Sequence, residues 1–598
     1  MNDVVRPSSA LAALVAAFVL AEIGYCDTVD FSINAPQVIF SSSQRKSAGG
    51  SLWPDGNIGV VSDGNGLYDF YSANGPSPVK TTGTLTNPGG SKKSVSIKNV
   101  PKAFDYVAGG PVYQDPYSGA RIMVYHAELQ NKSFKNYYSE LGLAISTDGQ
   151  TFKDLGIIIK PNVPSGQTDV GGGSFAIVNG YFNVYYRDFL ADGSRSEVAV
   201  ARAPIADLLQ NSLMGRSTAF TKYYNGGWSQ PGIGGIGSAL EVGNPFNSWS
   251  AASYNTYLNQ VVLVSSQWTN DGGDLYMATS SDGVNFSPRQ ALAADPGEQF
   301  YPSIVGTGAD PSQSGQSFYV YYTDSKKGGF NRPTDALLLR RQVTVNSPSG
   351  GPASGSSVLS AGWTPVAGYR DEFQTGAPAQ GWKYAWDPKG KLGNSAAYVS
   401  LVWSSAAQTY NTTGGATDAP AGKKTHTDDY LNLGAIGGCP GQSKYTPIIG
   451  YTIQADDGEG YYRLADSSIQ KTNGTIISKE DGLQVYVYVN NTLIGSAQSV
   501  SANGASANFD RTLGALHVGD TVWVMVDPLK NQIDDTFVNF DFSLQRLVYG
   551  MQSLAVNGFA NFSAGAQLMA SNSVPEPASV ALLFIAIAAG CMPRRRRR

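Results

Sequence analysis

The chain has 598 residues, which is too long for one ordinary domain and predicts two or three. Only 15% of the residues are charged and 42% are apolar, and glycine (69) and proline (31) are abundant, which is typical of turn-rich all-β proteins outside the cytoplasm. The net charge of −4 argues against a nucleic-acid partner, and three cysteines with three histidines predict neither a disulfide framework nor a zinc centre.

The N-terminus has the pattern of a secretion signal. Arg6 precedes the apolar run Leu11–Ala21, and the chain becomes polar by Asp27. The run is shorter than the roughly 20 residues that a membrane-spanning helix needs. We therefore predict a signal peptide over residues 1–26 and export of the chain, with a buried N-terminal helix as the alternative.

Five apolar, aromatic-rich strands then recur 54 to 79 residues apart. They are Leu67–Tyr71, Arg121–His126, Tyr181–Arg187, Gln260–Ser266 and Ser317–Thr323. Each is preceded, and most are followed, by another strand candidate, and such a recurring unit predicts a five-bladed β-propeller over residues 30–346. Tandem sandwiches are the alternative. A strand near Val29–Phe40 is expected to pair into the last blade and close the ring.

One sequence motif occurs in two similar copies, LGLAISTDGQTF at Leu141–Phe152 and LYMATSSDGVNF at Leu275–Phe286. Glycine supplies positive φ and aspartate caps the turn, so we predict tight turns between outer strands without a chemical role.

Several segments resemble the five-bladed propeller glycoside hydrolases of family 43. The resemblance covers roughly residues 45–345 and is carried by SELGLAIS, GGGSFAIVNGYFNVYYRD, SEVAVARAP and EQFYPSIVG. It implies a central funnel in which two carboxyl groups flank a glycosidic bond, one of them with a raised pKa. The family uses an aspartate at the start of blade one, an aspartate in blade two and a glutamate in blade three.

This sequence matches that pattern only in part. Asp55 matches the blade-one base, whereas blade two carries Gly109-Gly110-Pro111, with Asp105 upstream, and blade three carries Asp169 in place of a glutamate. Glu241, before blade four, and Glu298, before blade five, are further candidate acids. A turn or loop role is the alternative for each of these carboxylates.

Other side chains are candidates for binding sugar. His126 and Arg187 end predicted inner strands, where they would reach hydroxyl groups or serve the structure. The segment Phe220–Gly235 carries Tyr223, Tyr224 and Trp228 among glycines, and exposed aromatic rings suit the apolar faces of sugars. A linker between blades that packs its aromatics on the rim is the alternative.

After a linker at residues 347–360, the strand pattern changes. Short alternating strands over residues 361–548 predict a jelly-roll-like β-sandwich accessory domain, similar in style to carbohydrate-binding modules. No cofactor is expected, apart from a structural calcium ion. Asn490, Asn491 and Asp527 are candidates for binding calcium or sugar, and turn formation is their alternative role. Cys439 is the single cysteine in the body of the chain.

A spacer over residues 549–573 leads to a three-part tail. Val574-Pro575-Glu576-Pro577 is followed by the apolar run Ala578–Met592 and by the cluster Arg594–Arg598, which the positive-inside rule keeps cytoplasmic. This order resembles the PEP-CTERM sorting signal, which implies a transmembrane segment over residues 574–598 and an exosortase partner. A plain membrane anchor is the alternative.

Together these patterns predict an exported, surface-directed carbohydrate-active protein that acts on or binds a polysaccharide. Hydrolysis would use Asp55 as base and Glu241 or Glu298 as acid. A non-catalytic glycan- or matrix-binding surface protein and a structural surface-layer component are the alternatives.

Overall fold

The computed structural model describes residues 28–47, 56–72, 78–130, 138–162, 169–189, 196–240, 247–269, 272–293, 295, 297–325, 336–346, 357–412, 431–440, 445–472, 481–501, 504–529 and 535–553. All of them fall within one compact unit, Met1–Leu554. The predicted signal peptide and sorting tail lie outside the described residues. Within the described part of the chain, no helix is long and apolar enough to cross a membrane.

The described residues between 28 and 346 form five mainly antiparallel sheets arranged as blades. The chain begins with β1 (Phe31–Ile33), β2 (Gln37–Phe40) and α1 (Ser42–Ser47). Blade 1 contains β3 (Gly59–Ser62), β4 (Tyr68–Tyr71), β5 (Val79–Gly83) and β6 (Ser91–Ser94). Blade 2 contains β7 (Ser96–Lys98), β8 (Tyr106–Ala108), β9 (Val112–Gln114), β10 (Arg121–Leu129), β11 (Tyr138–Ser146) and β12 (Thr151–Ile159).

The remaining blades follow in chain order. Blade 3 contains β13 (Gly171–Val178), β14 (Tyr181–Phe189), β15 (Ser196–Pro204), β16 (Thr221–Tyr224) and β17 (Gly227–Pro231), with α2 (Ile205–Leu213) after β15. Blade 4 contains β18 (Asn247–Asn255), β19 (Gln260–Thr269), β20 (Gly272–Ser280) and β21 (Gln290–Ala293). Blade 5 contains β22 (Glu298–Gly306), β24 (Ser317–Ser325) and β25 (Leu337–Val345), while β23 (Gln313–Ser314) returns to pair with β18. The predicted five-bladed propeller is confirmed.

The N-terminal strands close the ring. Both β1 and β2 pair antiparallel with β25, so that Phe31 lies opposite Val345, as predicted for the segment Val29–Phe40. Each of the five interfaces between neighbouring blades buries its own apolar cluster. Since apolar burial is the main favourable term in folding, these clusters hold the blades together.

Tyrosines on the second strands of three blades reach across to the next blade. The Tyr71 hydroxyl donates to the Gly149 carbonyl at 3.0 Å, the Tyr185 hydroxyl donates to the Gly283 carbonyl at 2.8 Å, and the Tyr321 hydroxyl donates to the Leu85 carbonyl. Burial raises the pKa of the Tyr185 hydroxyl, so it remains a donor.

Gly149 and Gly283 belong to the repeated Ser-x-Asp-Gly turns, which have the same hydrogen bonds. In the second copy, Ser280 Oγ donates to Asp282 Oδ1 at 2.8 Å and accepts from Gly283 N at 2.9 Å. The same Asp282 oxygen accepts from the backbone N–H groups of Val284 and Asn285, each at 2.8 Å. Burial alone would raise the pKa of the Asp282 carboxyl. The hydrogen bonds from the Val284 and Asn285 backbone and from the Ser280 and Asn285 side chains outweigh this effect, so the pKa is lowered. The turns are structural, and they present a carbonyl to the neighbouring blade.

The second half of the chain is a two-layer β-sandwich. Its strands are β26 (Ser357–Gly368), β27 (Trp382–Trp386), β28 (Val399–Ser400), β29 (Val402–Ser404), β30 (Thr409–Asn411), β31 (Asn432–Gly434), β32 (Gly437–Cys439), β33 (Pro447–Thr452), β34 (Gly460–Lys471), β35 (Leu483–Val489), β36 (Thr492–Leu493), β37 (Gln498–Val500), β38 (Ser506–Ala507), β39 (Arg511–Leu516), β40 (Thr521–Asp527) and β41 (Phe537–Ser553), with a 3₁₀ turn at Ser395–Ala397. One sheet is built around β34 and β41, the other around β33, β40 and β35, and an aromatic-rich core lies between them.

Two predicted boundaries are wrong by a few residues. β26 begins at Ser357, inside the predicted linker 347–360, and β41 continues to Ser553, inside the predicted spacer 549–573. The two strands pair with each other over their whole common length, from Ser357 opposite Ser553 onward. Low-charge segments of glycine, serine and alanine resemble linkers by composition, but here the pairing partner was almost 200 residues away.

This long β26–β41 ribbon packs against blades 2 and 3. The Tyr549 hydroxyl donates to Asp115, and the Tyr117 hydroxyl donates to the Leu359 carbonyl at 3.1 Å. Leu213 of α2 joins Leu547 in an apolar cluster at the same place. The propeller and the sandwich therefore share a packed interface.

We expect Tyr185→Phe to destabilise the propeller by about 1–3 kcal/mol, because it leaves the buried Gly283 carbonyl without its hydroxyl donor. Urea unfolding of the full chain measures the change. Tyr254→Phe is the matched control, since Tyr254 packs in the same cluster without a side-chain hydrogen bond among the described residues. Equal stability of the two variants would contradict the role of the hydroxyl.

Candidate functional site

The candidate site lies at the end of the propeller axis where the innermost strands β3, β13, β18 and β22 begin. In blade 2 the innermost strand is divided into β8 and β9, and β8 lies at this end, paired with the carboxyl end of β10. The strands that pair with them run antiparallel, so the carboxyl ends of β4, β10, β14, β19 and β24 lie at the same end. We call this end the mouth. Side chains from all five blades meet there because the ring is closed.

Asp169 lies at the mouth, two residues before β13, and is buried. Its Oδ1 accepts a hydrogen bond from Ser139 Oγ at 2.6 Å, and its Oδ2 forms an ion pair with Arg187 at the end of β14. Ser139 belongs to blade 2 and Arg187 to blade 3. The carboxylate is therefore fixed on both oxygens and has a counter-ion, which suits a positioning or electrostatic role better than proton donation.

His126 lies beside this pair, three residues before the end of β10 at Leu129, and its ring is mostly buried. Its Nε2 lies 3.5 Å from Glu128 Oε1 and has no hydrogen-bond partner among the described residues. Gly171 is the reason that these groups can approach: a Cβ there would lie 2.8 Å from Asp169 Oδ1, 3.2 Å from His126 Cε1 and 3.3 Å from Trp249 Cη2.

Two aromatic residues form the opposite wall. Trp249 on β18 faces His126 with 6.0 Å between ring centroids and meets Tyr301 on β22 edge to face at 5.0 Å. Tyr301 has a φ of 53°, at an irregularity in the pairing of β22 with β24. A left-handed backbone is unfavourable for a bulky residue and is found mainly where function or packing requires it. Here it places the ring against Trp249.

Blade 5 supplies the other carboxyl groups. Glu298 is the first residue of β22 and is buried, and the neighbouring Gln299 is fully buried with neither of its amide atoms hydrogen-bonded among the described residues. Asp324, opposite Gln299 in the register, was not predicted. Burial and the nearby Asp295 carboxylate raise the pKa of Asp324 to about 6, against the lowering effect of Arg341. A carboxyl group that titrates there can donate a proton near neutral pH.

A sequence signal for Asp324 did exist. The strands YFNVYYRDF of blade 3 and SFYVYYTDS of blade 5 align, which places Asp324 in the position of Asp188. Asp188 is buried near the Lys222 ammonium, 3.5 Å away, whereas Asp324 has Asp295 as a neighbouring charge.

The carboxylate expected in blade 2 is excluded by packing. A Cβ at Gly110 would lie 2.2 Å from the Val124 carbonyl oxygen, so the backbone at Gly109-Gly110-Pro111 leaves no room for a longer side chain. Upstream, Asp105 is exposed and its Oδ1 accepts from the Gln130 backbone N–H at 2.7 Å. The predicted residues Asp55 and Glu241 lie outside the described residues.

Tyr223, Tyr224 and Trp228 lie away from the mouth. They form the outermost hairpin of blade 3, β16–β17, where a loop was expected, and Tyr223 pairs with Trp228. The Arg202 guanidinium lies 3.9 Å from the centroid of the Trp228 ring, so that face of the indole is covered. Sugar binding by these rings stays a prediction, and it would concern the rim of the propeller.

The cavities at the two ends of the propeller axis differ in size. At the mouth, His126, Gly172 and Trp249 border a cavity of about 10 Å³, and a second cavity of about 30 Å³ lies deeper between the inner strands. At the opposite end a cavity of about 470 Å³ is larger, but its three aspartates, Asp63, Asp115 and Asp310, all cap turns. We favour the mouth because its polar groups are not consumed by turns.

Nine buried polar atoms at the mouth have no hydrogen-bond partners among the described residues. They come from every blade: Asn57 Oδ1, Ser72 Oγ, His126 Nε2, Arg187 Nε, Ser250 Oγ, Gln299 Oε1 and Nε2, Thr323 Oγ1 and Ser325 Oγ. An unpaired buried group costs about 1–3 kcal/mol, so native proteins keep few of them and mostly at functional sites. The described residues contain no cluster of histidine, cysteine, aspartate and glutamate that could hold a metal ion.

We expect the raised pKa of Asp324 to make the folding stability depend on pH. Its pKa of about 6 in the folded state exceeds the usual 3.8, so the folded state binds more protons, and stability falls as pH rises from about 4 to 6 and then levels off. Asp324→Asn removes this slope, so the melting temperature of the variant relative to that of the wild type should rise as the pH is raised over that interval.

Asp105→Asn is the control for this comparison, since Asp105 is exposed. A wild-type-like pH slope in Asp324→Asn would show that another group is responsible.

No family model and no curated protein matches the sequence. Solved structures that match include an exo-β-1,3-galactanase from Phanerochaete chrysosporium, with 10% identity, 86% of this chain and 100% of that chain covered, and a TM-score of 0.31. The catalytic domain of a family 62 α-L-arabinofuranosidase from Coprinopsis cinerea matches with 11% identity, 54% and 99% coverage and a TM-score of 0.34. A family 117 glycoside hydrolase from Zobellia galactanivorans matches with 12% identity, 55% and 94% coverage and a TM-score of 0.35. Scores of this size establish neither kinship nor activity.

Proposed function

We propose that the protein is an exported carbohydrate-active protein that binds a polysaccharide at the propeller mouth and cleaves it as a glycoside hydrolase. The observation that carries this is the set of buried, unpartnered polar atoms from all five blades beside the Trp249–Tyr301 wall. A sugar offers hydroxyl groups that donate and accept, together with apolar C–H faces for aromatic rings.

Hydrolysis needs two carboxyl groups across the scissile bond. In this proposal Asp55 is the base, since it precedes Gly56 and Asn57 at the mouth, and Glu298 is the acid, with Glu241 as the other candidate. Asp169, held by Arg187, orients the arginine towards sugar hydroxyls. Asp324 adds a second carboxyl group in blade 5, and its pKa of about 6 suits proton donation.

Export and sorting are part of the proposal. The apolar run near the N-terminus supports secretion, and the order Val574-Pro575-Glu576-Pro577, apolar run and arginine cluster supports exosortase-dependent delivery to the cell surface. The polysaccharide would then be extracellular.

A non-catalytic glycan-binding propeller is the second candidate. Two observations favour it: the Gly110 backbone leaves no room for an acid in blade 2, and Asp169 is bound on both oxygens. Binding uses the same unpartnered polar groups, but it does not require a carboxyl pair.

We expect purified wild-type protein to release reducing sugar from arabinan, xylan or fructan, and Asp55→Asn and Glu298→Gln each to lower the rate by about 100-fold or more, as for loss of an acid or base. Asp63→Asn is the control, because Asp63 caps a turn in the same blade.

If the wild type binds one of these glycans but cleaves none, and Trp249→Ala abolishes binding, the non-catalytic function replaces hydrolysis. If Trp249→Ala leaves both binding and cleavage unchanged, the mouth is not the site.

A further inference from the structure

The outer face of one sandwich sheet carries an apolar cluster of its own. Side chains alternate along β40, so that Val522 and Val524 point into the sandwich core while Trp523 and Met525 lie on the other face. A sheet face turned to solvent is normally polar. Here Trp523, Met525 and Tyr488 are buried, with Tyr398 packed on them from the segment between β27 and β28.

These residues form part of a groove of about 530 Å³. Trp523 lies over Gly450, where a Cβ would come within 2.3 Å of the indole ring, so the glycine lets the ring lie against the sheet. Tyr398 meets Trp523 edge to face at 5.3 Å, and the Lys383 ammonium lies 5.8 Å from the centroid of the Trp523 ring. Ser395, Asn490 and Thr521 add polar groups to the lining.

The groove carries an exposed ammonium group at Lys383. Lys383 is exposed and has no ion pair among the described residues. The adjoining segment carries Lys389 and Lys391, and the buried Asp387 carboxylate, which accepts hydrogen bonds from the backbone N–H groups of these two residues, offsets part of their charge. The Trp523 indole N–H is also without an acceptor among the described residues. That nitrogen is buried, so the exposed Lys383 is the group that sets the ligand chemistry, and a ligand for this groove should bring an anionic group.

We infer that the groove binds a segment of acidic polysaccharide, through sugar rings beside Tyr398 and Trp523 and a carboxylate or sulfate on Lys383. A charge-assisted hydrogen bond from an ammonium to an anionic oxygen is stronger than a neutral one, and it selects acidic over neutral chains. The hydroxyl of the half-buried Ser395 is placed to meet a sugar hydroxyl. The Asn490 amide, by contrast, is bound to Asp520 and to the Thr521 backbone N–H, and the Thr521 hydroxyl is bound to Thr452. This site is separate from the propeller mouth and does not rest on the function proposed there.

Affinity electrophoresis and calorimetry of the full-length protein test this with two matched pairs of probes. Polygalacturonate is compared with its methyl ester for the carboxylate, and dextran sulfate is compared with dextran for the sulfate. We expect the acidic member of at least one pair to bind and its neutral counterpart to bind at least about tenfold more weakly. The pair of probes whose two members differ in affinity shows whether the groove binds a carboxylate or a sulfate.

Lys383→Gln should weaken binding of the acidic probe at least about tenfold, and Lys383→Glu should abolish it, while Lys102→Gln in an exposed propeller segment serves as the matched control. Lys383 is exposed, so its variants should fold, and an unchanged melting temperature verifies this. Equal binding of acidic and neutral probes, or wild-type affinity in Lys383→Glu, would overturn the inference.

Asp169→Asn separates this site from the mouth. Groove binding should persist in that variant whatever becomes of cleavage, and loss of acidic-probe binding in Asp169→Asn with retention in Lys383→Gln would place the acidic ligand at the mouth and overturn the groove proposal.

Discussion

The architecture depends on how each blade is fixed to its neighbour, because in a closed ring an error at one interface displaces every other. Apolar clusters hold neighbouring blades together, but apolar contacts are not directional. The hydroxyl groups of Tyr71, Tyr185 and Tyr321 fix the position of each blade relative to the next, because each donates to one particular carbonyl there. In two cases that carbonyl belongs to a Ser-x-Asp-Gly turn whose shape is set by its own aspartate. A local turn motif therefore determines a long-range contact.

The closed ring also creates the mouth and holds its buried polar atoms in place although they destabilise the fold. Asn57 donates to the Ser250 and Pro302 carbonyls, both at 2.8 Å, and so ties blade 1 to blades 4 and 5 at the axis. With the inner strands held this way, polar atoms such as His126 Nε2 and the Gln299 amide stay buried without partners among the described residues. A less constrained scaffold would relax until water reached them, since each such atom is destabilising.

Much of the fold could be predicted from the sequence because strand periodicity and turn residues act locally. The five-fold recurrence, the closing strand near Val29–Phe40 and the structural role of Asp148 and Asp282 all follow from such patterns. The hairpin at Tyr223–Trp228 could not be predicted, because its glycines suit a loop and a hairpin equally. The alignment of the blade 3 and blade 5 strands marks the position of Asp324, but its raised pKa could not be predicted, because that pKa depends on burial and on Asp295, which become its surroundings only when the blade forms. The β26–β41 pairing is equally non-local.

The mouth therefore differs from a simple pair of carboxylates in a way that bears on its chemistry. Asp169 and Asp324 are both aspartates near the ends of strands, yet Asp169 has an arginine as counter-ion and Asp324 has a second carboxylate as its neighbour. Opposite charge environments are how one site keeps one carboxyl group ionised and another available as a proton donor. Such an asymmetry can arise without an acid in blade 2, whose Gly110 is committed to backbone packing against Val124. The absence of a carboxyl group at Gly110 in blade 2 is thus a constraint of packing, and the carboxyl groups of Asp169 and Asp324 come from blades 3 and 5.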